Sequence, residues 1–267
     1  MAGSELTNVK SPRVKAARRL TKRAFREQDR RFLAEGPQAV REALRLEGVA
    51  VELFATAEAE ARHAELLTEA RLGGVQVHRA SGEVMSELAQ TVTPQGVVAI
   101  CRFVHRPLEE AVTDRARLVA VLAHVRDPGN AGTVLRTADA AGADAVVFTD
   151  ASVDPYNGKC VRASAGSLFH LPVVIGTPIA RAVGHLKERG LRVLAADGSG
   201  RRTLDEVRLD GPTAWVFGNE AWGLPEEVLE LADEVVRVPI YGQAESLNLA
   251  TAAAVCLYAS ARAQRGS

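Results

Sequence analysis

Residues 118–149 read LVAVLAHVRDPGNAGTVLRTADAAGADAVVFT, and their pattern predicts the fold of the larger part of the chain. An apolar run, VAVLAH, is followed by a Pro-Gly turn, a helix from Asn130 and a second apolar run, AVVFT. Strands apolar on both faces and joined through a helix belong to a parallel sheet with helices on both sides. The turn carries no Ser, Cys or His to act as a nucleophile, no P-loop lysine and no GxGxxG, so a dinucleotide or P-loop site is disfavoured. Its polar offerings are Asn130 and, six residues on, Arg136.

Outward from this stretch the alternation continues. A helix around Cys160 to Leu168, strand PVVI, helix Ile179 to Arg189 and strand RVLAA lead to a turn-rich stretch with Gly198 and Gly200. Strand TAWVF, a helix after Pro225, strand EVVRVPI and a terminal helix from Ser246 follow. On the N-terminal side EGPQAVREALRLEG reads as a helix, VELFAT as a strand, and Ala57 to Leu72 as a second helix. Strand VQVHR, a short helix from Ser81 and strand GVVAICRF complete a small α/β unit. The polar, proline-bearing VHRPLEEAVTDRAR reads as a linker. The chain is thus read as α/β with two domains, residues 1–105 and 106–267.

Composition bounds the function. The chain has 267 residues, 47% hydrophobic and 25% charged, with no long apolar run and a polar, basic start, so it is expected in the cytoplasm, off the membrane. Three well-separated cysteines, Cys101, Cys160 and Cys256, are expected as buried thiols, and six dispersed histidines show no metal-ligand spacing. The net charge is zero, yet Val9 to Arg31 holds ten basic side chains against Glu27 and Asp29. Lys15, Arg18, Arg19, Lys22, Arg23, Arg26 and Arg30 recur at helical spacing. This draws one cationic stripe suited to an RNA or DNA backbone.

In sheets of this kind ligands bind at the C-terminal strand ends, and three strand-exit loops carry the unusual polar residues. In DPGNAG, Asn130 is a helix cap or a working amide, and Arg136 sits in a poorly polar stretch where a guanidinium usually has a partner. In GNEAWG, Gly218 lets a ligand approach the backbone or merely makes a turn, with Asn219 and Glu220 beside it. In IYGQAESLN, Ser246 reads as the N-cap of the last helix, and Asn248 as a buried amide that requires partners.

Together N-x-G-x-x-x-R-x-A at Asn130–Ala138, F-G-N-E-x-x-G-L at Phe217–Leu224, and V-P-I with E-S-L-N-L-A at Val238–Ala250 resemble the three ordered motifs of the SpoU/TrmH-type RNA ribose methyltransferases of the SPOUT class. The likeness covers roughly residues 117–263, and the layout is most similar to the thiostrepton-resistance type of 23S rRNA methyltransferase. Residues 32–102 resemble the family's L30e-like substrate-binding domain. The resemblance implies a C-terminal SPOUT domain with a parallel sheet and a deep trefoil knot, S-adenosylmethionine as methyl donor, and a homodimer whose site is completed across the interface. By position it implies donor contacts at Ala195, Gly218, Asn219, Val238, Ile240 and Leu247, and catalytic or site-shaping roles for Asn130, Arg136, Glu220, Ser246 and Asn248. Arg162, Ser164 and Gly166 in RASAGSLF match a segment near the substrate phosphate, and Arg18, Arg19 and Lys22 are expected to touch RNA.

The expected function is therefore 2′-O-methylation of 23S rRNA, with a tRNA substrate or a non-catalytic RNA-binding protein on the same fold as alternatives. Methyl transfer from a sulfonium to a ribose hydroxyl needs alignment rather than a metal or covalent nucleophile. On this reading Arg136 stabilises the developing ribose oxyanion, Asn130 orients Arg136 and the sugar, and Glu220 fixes the arginine.

Overall fold

The computed structural model describes residues 5–266, which form two compact units. One runs to Val104 and includes Tyr156–Phe169; the other comprises His105–Pro155 and the residues from His170 onward. The expected second domain, 106–267, therefore yields residues 156–169 to the first unit. The aromatic side chains explain this allegiance. Tyr156 stacks on Phe103 with ring centroids 4.0 Å apart, packs 4.6 Å from Phe32, and its hydroxyl oxygen accepts from the Val104 amide at 2.8 Å.

The first unit begins with α1 (Pro12–Arg19), capped by the Ser11 hydroxyl, and α2 (Arg23–Asp29), ended by a left-handed Arg30. They are two helices, not the single one the basic spacing suggested. Arg26, 3% exposed, donates to the Leu20 and Thr21 carbonyls at 3.0 and 2.8 Å and so satisfies groups left unpaired at the break. Nor is the segment a detached arm, since Val14, Ala17 and Leu20 are buried with Val84, Met85 and Leu88.

Next come β1 (Arg31–Glu35), unforeseen in the sequence, α3 (Pro37–Leu44), β2 (Ala50–Ala55), α4 (Ala57–Arg62) and α5 (Ala64–Leu72). β3 (Gln76–Arg79), α6 (Gly82–Leu88), capped by Ser81, and β4 (Val97–Arg102) complete this part. The sheet runs β1-β4-β2-β3, with β4 antiparallel to both neighbours and β3 parallel to β2.

The second unit opens with α7 (Leu108–Ala111), inside the stretch read as a linker; Leu108, Ala111 and Val112 are core residues, which overrides its polar composition. β5 (Leu118–Leu122), α8 (Pro128–Ala141) and β6 (Ala145–Thr149) reproduce the stretch quoted above. α9 (Gly158–Ala163) belongs to the first unit, where it packs on β1. β7 (Val173–Thr177), α10 (Ile179–Glu188), β8 (Arg192–Ala196) and the two-residue β9 (Arg202–Thr203) follow. β10 (Thr213–Phe217), α11 (Glu226–Leu231), β11 (Glu234–Arg237) and α12 (Leu249–Arg265) end the chain.

The seven strands lie in the order β7-β6-β5-β10-β8-β11-β9 and every pairing is parallel. β5, β6 and β10 are buried at every position, as a sheet covered on both faces requires. Two late strands are inserted between earlier ones: β10 fills the place between β5 and β8, and β11 the place between β8 and β9.

α12 is fixed to the sheet by a polar contact in the core. The fully buried Trp215 indole donates to the Ser260 hydroxyl at 2.8 Å, and Ser260 is itself 0% exposed. Ser260→Ala leaves that N–H unpaired, and urea denaturation should register a loss of about 1–3 kcal/mol. All three cysteines are free and buried, and burial pushes the Cys256 thiol up to about 12.

Candidate functional site

At the C-terminal ends of β8, β10 and β11 a cavity of about 470 Å³ opens in the second unit. Gly218, Asn219 and Glu220 line it from the β10 exit, and Val238, Ile240, Ser246 and Leu247 from the loop before α12. Ala195 does not line it: it is fully buried within β8, and its neighbour Ala196, one residue nearer the strand end, takes its place.

The β10 exit is a tight closed turn. The Asn219 amide donates to the Gly223 carbonyl at 2.8 Å and the Gly223 amide returns a bond to Asn219 at 3.0 Å. A Cβ on Gly218 would stand 2.4 Å from the Gly223 carbonyl oxygen, so the packing of this turn already demands glycine there. Gly223 closes the turn at φ +71, where a Cβ would meet the Asp197 carboxylate at 2.5 Å. Asp197, which the sequence reading did not single out, also accepts from the Leu224 amide and from Ser199. Asn219 is a strut: its Nδ2 donates to the His124 carbonyl at 3.0 Å and its Oδ1 accepts from the Ala221 amide at 2.8 Å.

Both helix caps differ from the sequence expectation. α8 is capped by Asp127, whose carboxylate accepts from the Asn130 amide at 2.8 Å, and Pro128 occupies the first helical position. α12 is capped by Asn248, not Ser246; its Oδ1 accepts from the amides of Ala250 and Thr251. Asn248 is exposed rather than buried.

These caps fix the direction of a hydrogen-bonded line. With its oxygen taken by the helix, Asn248 offers only its NH2 group outward, and Nδ2 donates to Asn130 Oδ1 at 3.1 Å. Asn130 must then present its own NH2 group on the other side, where it donates to Glu220 Oε1 at 3.1 Å. One line therefore ties together α12, α8 and the β10 exit, three places separated by 118 and 90 residues.

Arg136 stands outside this line. It is exposed on α8 and forms no hydrogen bond or ion pair among the described residues, contrary to the partner expected for it. Glu220 pins Asn130 instead of the arginine. Ser246 lines the cavity as an exposed residue. Tyr241, in the same loop, donates to Asp205 at 3.1 Å, and this bond raises its phenol above the ordinary range.

The cavity is electrostatically one-sided. Asp197, Glu220 and Glu245 line it, and no Lys or Arg does among the described residues. Trp222, also unforeseen, lines it while remaining 52% exposed.

The residues expected to touch substrate fall in the first unit. Arg162 donates to Glu35 at 2.9 Å and to the Gln90 carbonyl at 3.3 Å. Ser164 is fully buried and donates to the Val161 carbonyl at 2.8 Å, so it has no group to offer a substrate; packing within its own helix has claimed it. A Cβ on Gly166, at φ +101, would run into Glu42. Arg18 pairs with Glu87 and Arg19 with Asp29, both at 2.6 Å, so acids balance much of the stripe; Lys22 remains exposed. Exposed pairs of this kind are worth about 0–1 kcal/mol and exchange readily for phosphate.

Residues 117–258 match the SpoU rRNA Methylase family, and residues 11–99 match the MRM3-like substrate binding domain. The 23S rRNA (guanosine(2553)-2′-O)-methyltransferase RlmP of Bacillus subtilis (strain 168) is 37% identical over 254 residues, 95% of this chain and 98% of its own. A crystal structure of an RNA 2′-O ribose methyltransferase superposes with a TM-score of 0.83 at 32% identity, covering 99% of this chain and 100% of the other. The AdoMet-bound rRNA methyltransferase from Sinorhizobium meliloti does so with 0.83 at 30% identity, covering 97% of each.

Proposed function

The chain belongs to the SpoU rRNA methylase family, and from that premise we propose that its acidic cavity holds the methyl donor while the Asn248–Asn130–Glu220 line aligns the receiving ribose. The protein is an S-adenosylmethionine-dependent RNA 2′-O-ribose methyltransferase acting on 23S rRNA. A guanosine is the target we infer, by likeness to the Bacillus relative.

The observation that carries the donor assignment is the charge of the cavity. Carboxylates from Asp197, Glu220 and Glu245 without a lining cation suit a sulfonium and repel a phosphate-bearing cofactor. Ile240 and Leu247 leave apolar surface at the cavity, 38% and 36% exposed, that a purine nucleoside would cover. Gly218, Val238, Ile240 and Leu247 would hold the donor, and Asn219 would act through the turn it braces.

Bound S-adenosylmethionine supplies the electrophilic methyl group. Asn130, fixed from both sides, would orient the ribose hydroxyl, and Arg136 would stabilise negative charge on its oxygen as the proton leaves to phosphate or water. A guanidinium serves better as a fixed charge than as a base.

Four finer features belong to the same proposal. The insertion of β10 and β11 between strands laid down earlier supports a trefoil knot. Val255 and Tyr258 are 39% and 52% exposed on α12, which packs against α8, and this apolar stripe supports a homodimer. No helix among the described residues is long and apolar enough to cross a membrane, and a ribosomal RNA substrate supports the cytoplasm as the compartment. Lys15 and Lys22, both exposed, are the cations we assign to RNA contact in the first unit.

Incubation with labelled S-adenosylmethionine and an unmodified 23S rRNA transcript tests the assignment. The label should appear at a guanosine in an alkali-resistant dinucleotide, the mark of a 2′-O-methyl group. Label on a base would overturn the ribose assignment, and RNA binding without donor binding would favour the non-catalytic alternative.

A further inference from the structure

We propose that Trp222 is a stacking platform for a nucleobase of the RNA substrate, an inference that rests on the methyltransferase reading and names how its site holds RNA. The chain has two tryptophans. Trp215 is fully buried and bonded to Ser260, as packing demands, whereas Trp222 keeps half of its surface in solvent at the cavity.

Its surroundings hold the ring ready. Trp222 lies inside the turn closed by the paired Asn219–Gly223 backbone bonds and braced by both ends of the Asn219 side chain. The His124 ring meets the indole edge to face, 5.5 Å between centroids and 62° between planes. His124 is held at φ 59, a left-handed conformation that few side chains adopt. Asn219 grips the carbonyl of that same residue, so one side chain sets both the turn bearing the indole and the residue supporting it. A ring ordered before binding loses little further freedom when a ligand stacks on it.

Position makes the ligand a nucleobase. Trp222 is two residues beyond Glu220, which holds Asn130 beside the proposed ribose. A base joined to that ribose, or to its neighbour in the strand, reaches the turn carrying the indole. Aromatic faces accept any base, because every base offers a π surface. The carboxylates around the cavity repel the phosphates, so the base rather than the backbone is the part of RNA this rim favours.

The experiment uses the full chain, S-adenosylmethionine and an unmodified 23S rRNA transcript. Trp222→Ala should lower kcat/KM for the transcript about 10- to 100-fold, the effect of one lost stacked base, while Trp222→Phe should recover most of it. Donor affinity by calorimetry should fall far less than kcat/KM, since Trp222 is one of many residues around the cavity, and dimer mass by ultracentrifugation should stay at the wild-type value. Because Trp215 is buried, acrylamide quenching reports on Trp222, and the transcript alone should shield it. An unchanged kcat/KM in Trp222→Ala, a parallel fall in donor affinity, a dissociated dimer or unshielded fluorescence would each overturn the proposal. If the wild-type chain transfers no methyl group, the functional reading falls, whereas the quenching experiment still judges the platform by itself.

Discussion

Arg136→Ala lowers the single-turnover rate of methyl transfer about 10²- to 10³-fold, the usual effect of removing a donor aimed at a developing oxyanion. Donor affinity holds, since Arg136 is absent from the cavity wall. Arg136→Lys should recover only part of the rate, because an ammonium restores charge without the planar fork that spans a ribose oxygen and a phosphate. Near wild-type chemistry in Arg136→Ala would remove the residue from the mechanism. Full activity in Arg136→Lys would reduce its role to simple charge.

The placement of Arg136 makes a sharper version of this test possible. Six residues on an α-helix carry it about 9 Å along the axis and roughly 120° around from Asn130. The guanidinium is exposed, and the Asn130 amide is committed to Asn248 and Glu220. An arginine turned away from its own cluster suits a dimer in which it serves the partner's site. Mixing inactive Arg136→Ala and Asn130→Ala chains should then restore about a quarter of wild-type activity, since half the dimers are mixed and each holds one complete site. A mixture as inactive as its components would place the arginine in its own chain's site.

The strand and helix alternation after residue 117 was legible because parallel strands buried on both faces have no polar positions to confuse the pattern. Caps were harder. Asn130 and Ser246 are good caps by type, yet Asp127 stands directly before Pro128, and Asn248 directly before the helix it caps. Each displacement frees the residue for other work, and Asn130 gains its two side-chain bonds because Asp127 caps α8. The allegiance of residues 156–169 was illegible for another reason: the pattern reveals the helix, but only tertiary packing pairs Tyr156 with Phe32 and Phe103. The cationic spacing likewise gave no sign of Glu87, distant in sequence, as the partner of Arg18. The motif GNEAWGL contained Trp222, but half-exposure of an indole is a property of the folded turn.

The direction of the amide line yields the last prediction. Asn130→Asp replaces the NH2 group facing Glu220 by an oxygen and brings two carboxylates to the present 3.1 Å separation. The Asn248 bond to the other oxygen survives, so the variant reverses a single contact. Repulsion should swing Glu220 or the new side chain out of line and lower kcat about 10²-fold at pH 8, with little change in melting temperature because Glu220 is exposed and Asn130 only half-buried. Paired carboxylates raise the pKa of one member, and below that raised value a shared proton bridges them and restores a donor between the two oxygens. Relative to wild type at each pH, the variant should therefore regain activity as pH falls from about 8 toward 5. Asn130→Ala has no proton to share and should stay flat. A variant equally impaired at both ends of that range would mean that Asn130 acts through its contact with the ribose alone, independently of Glu220.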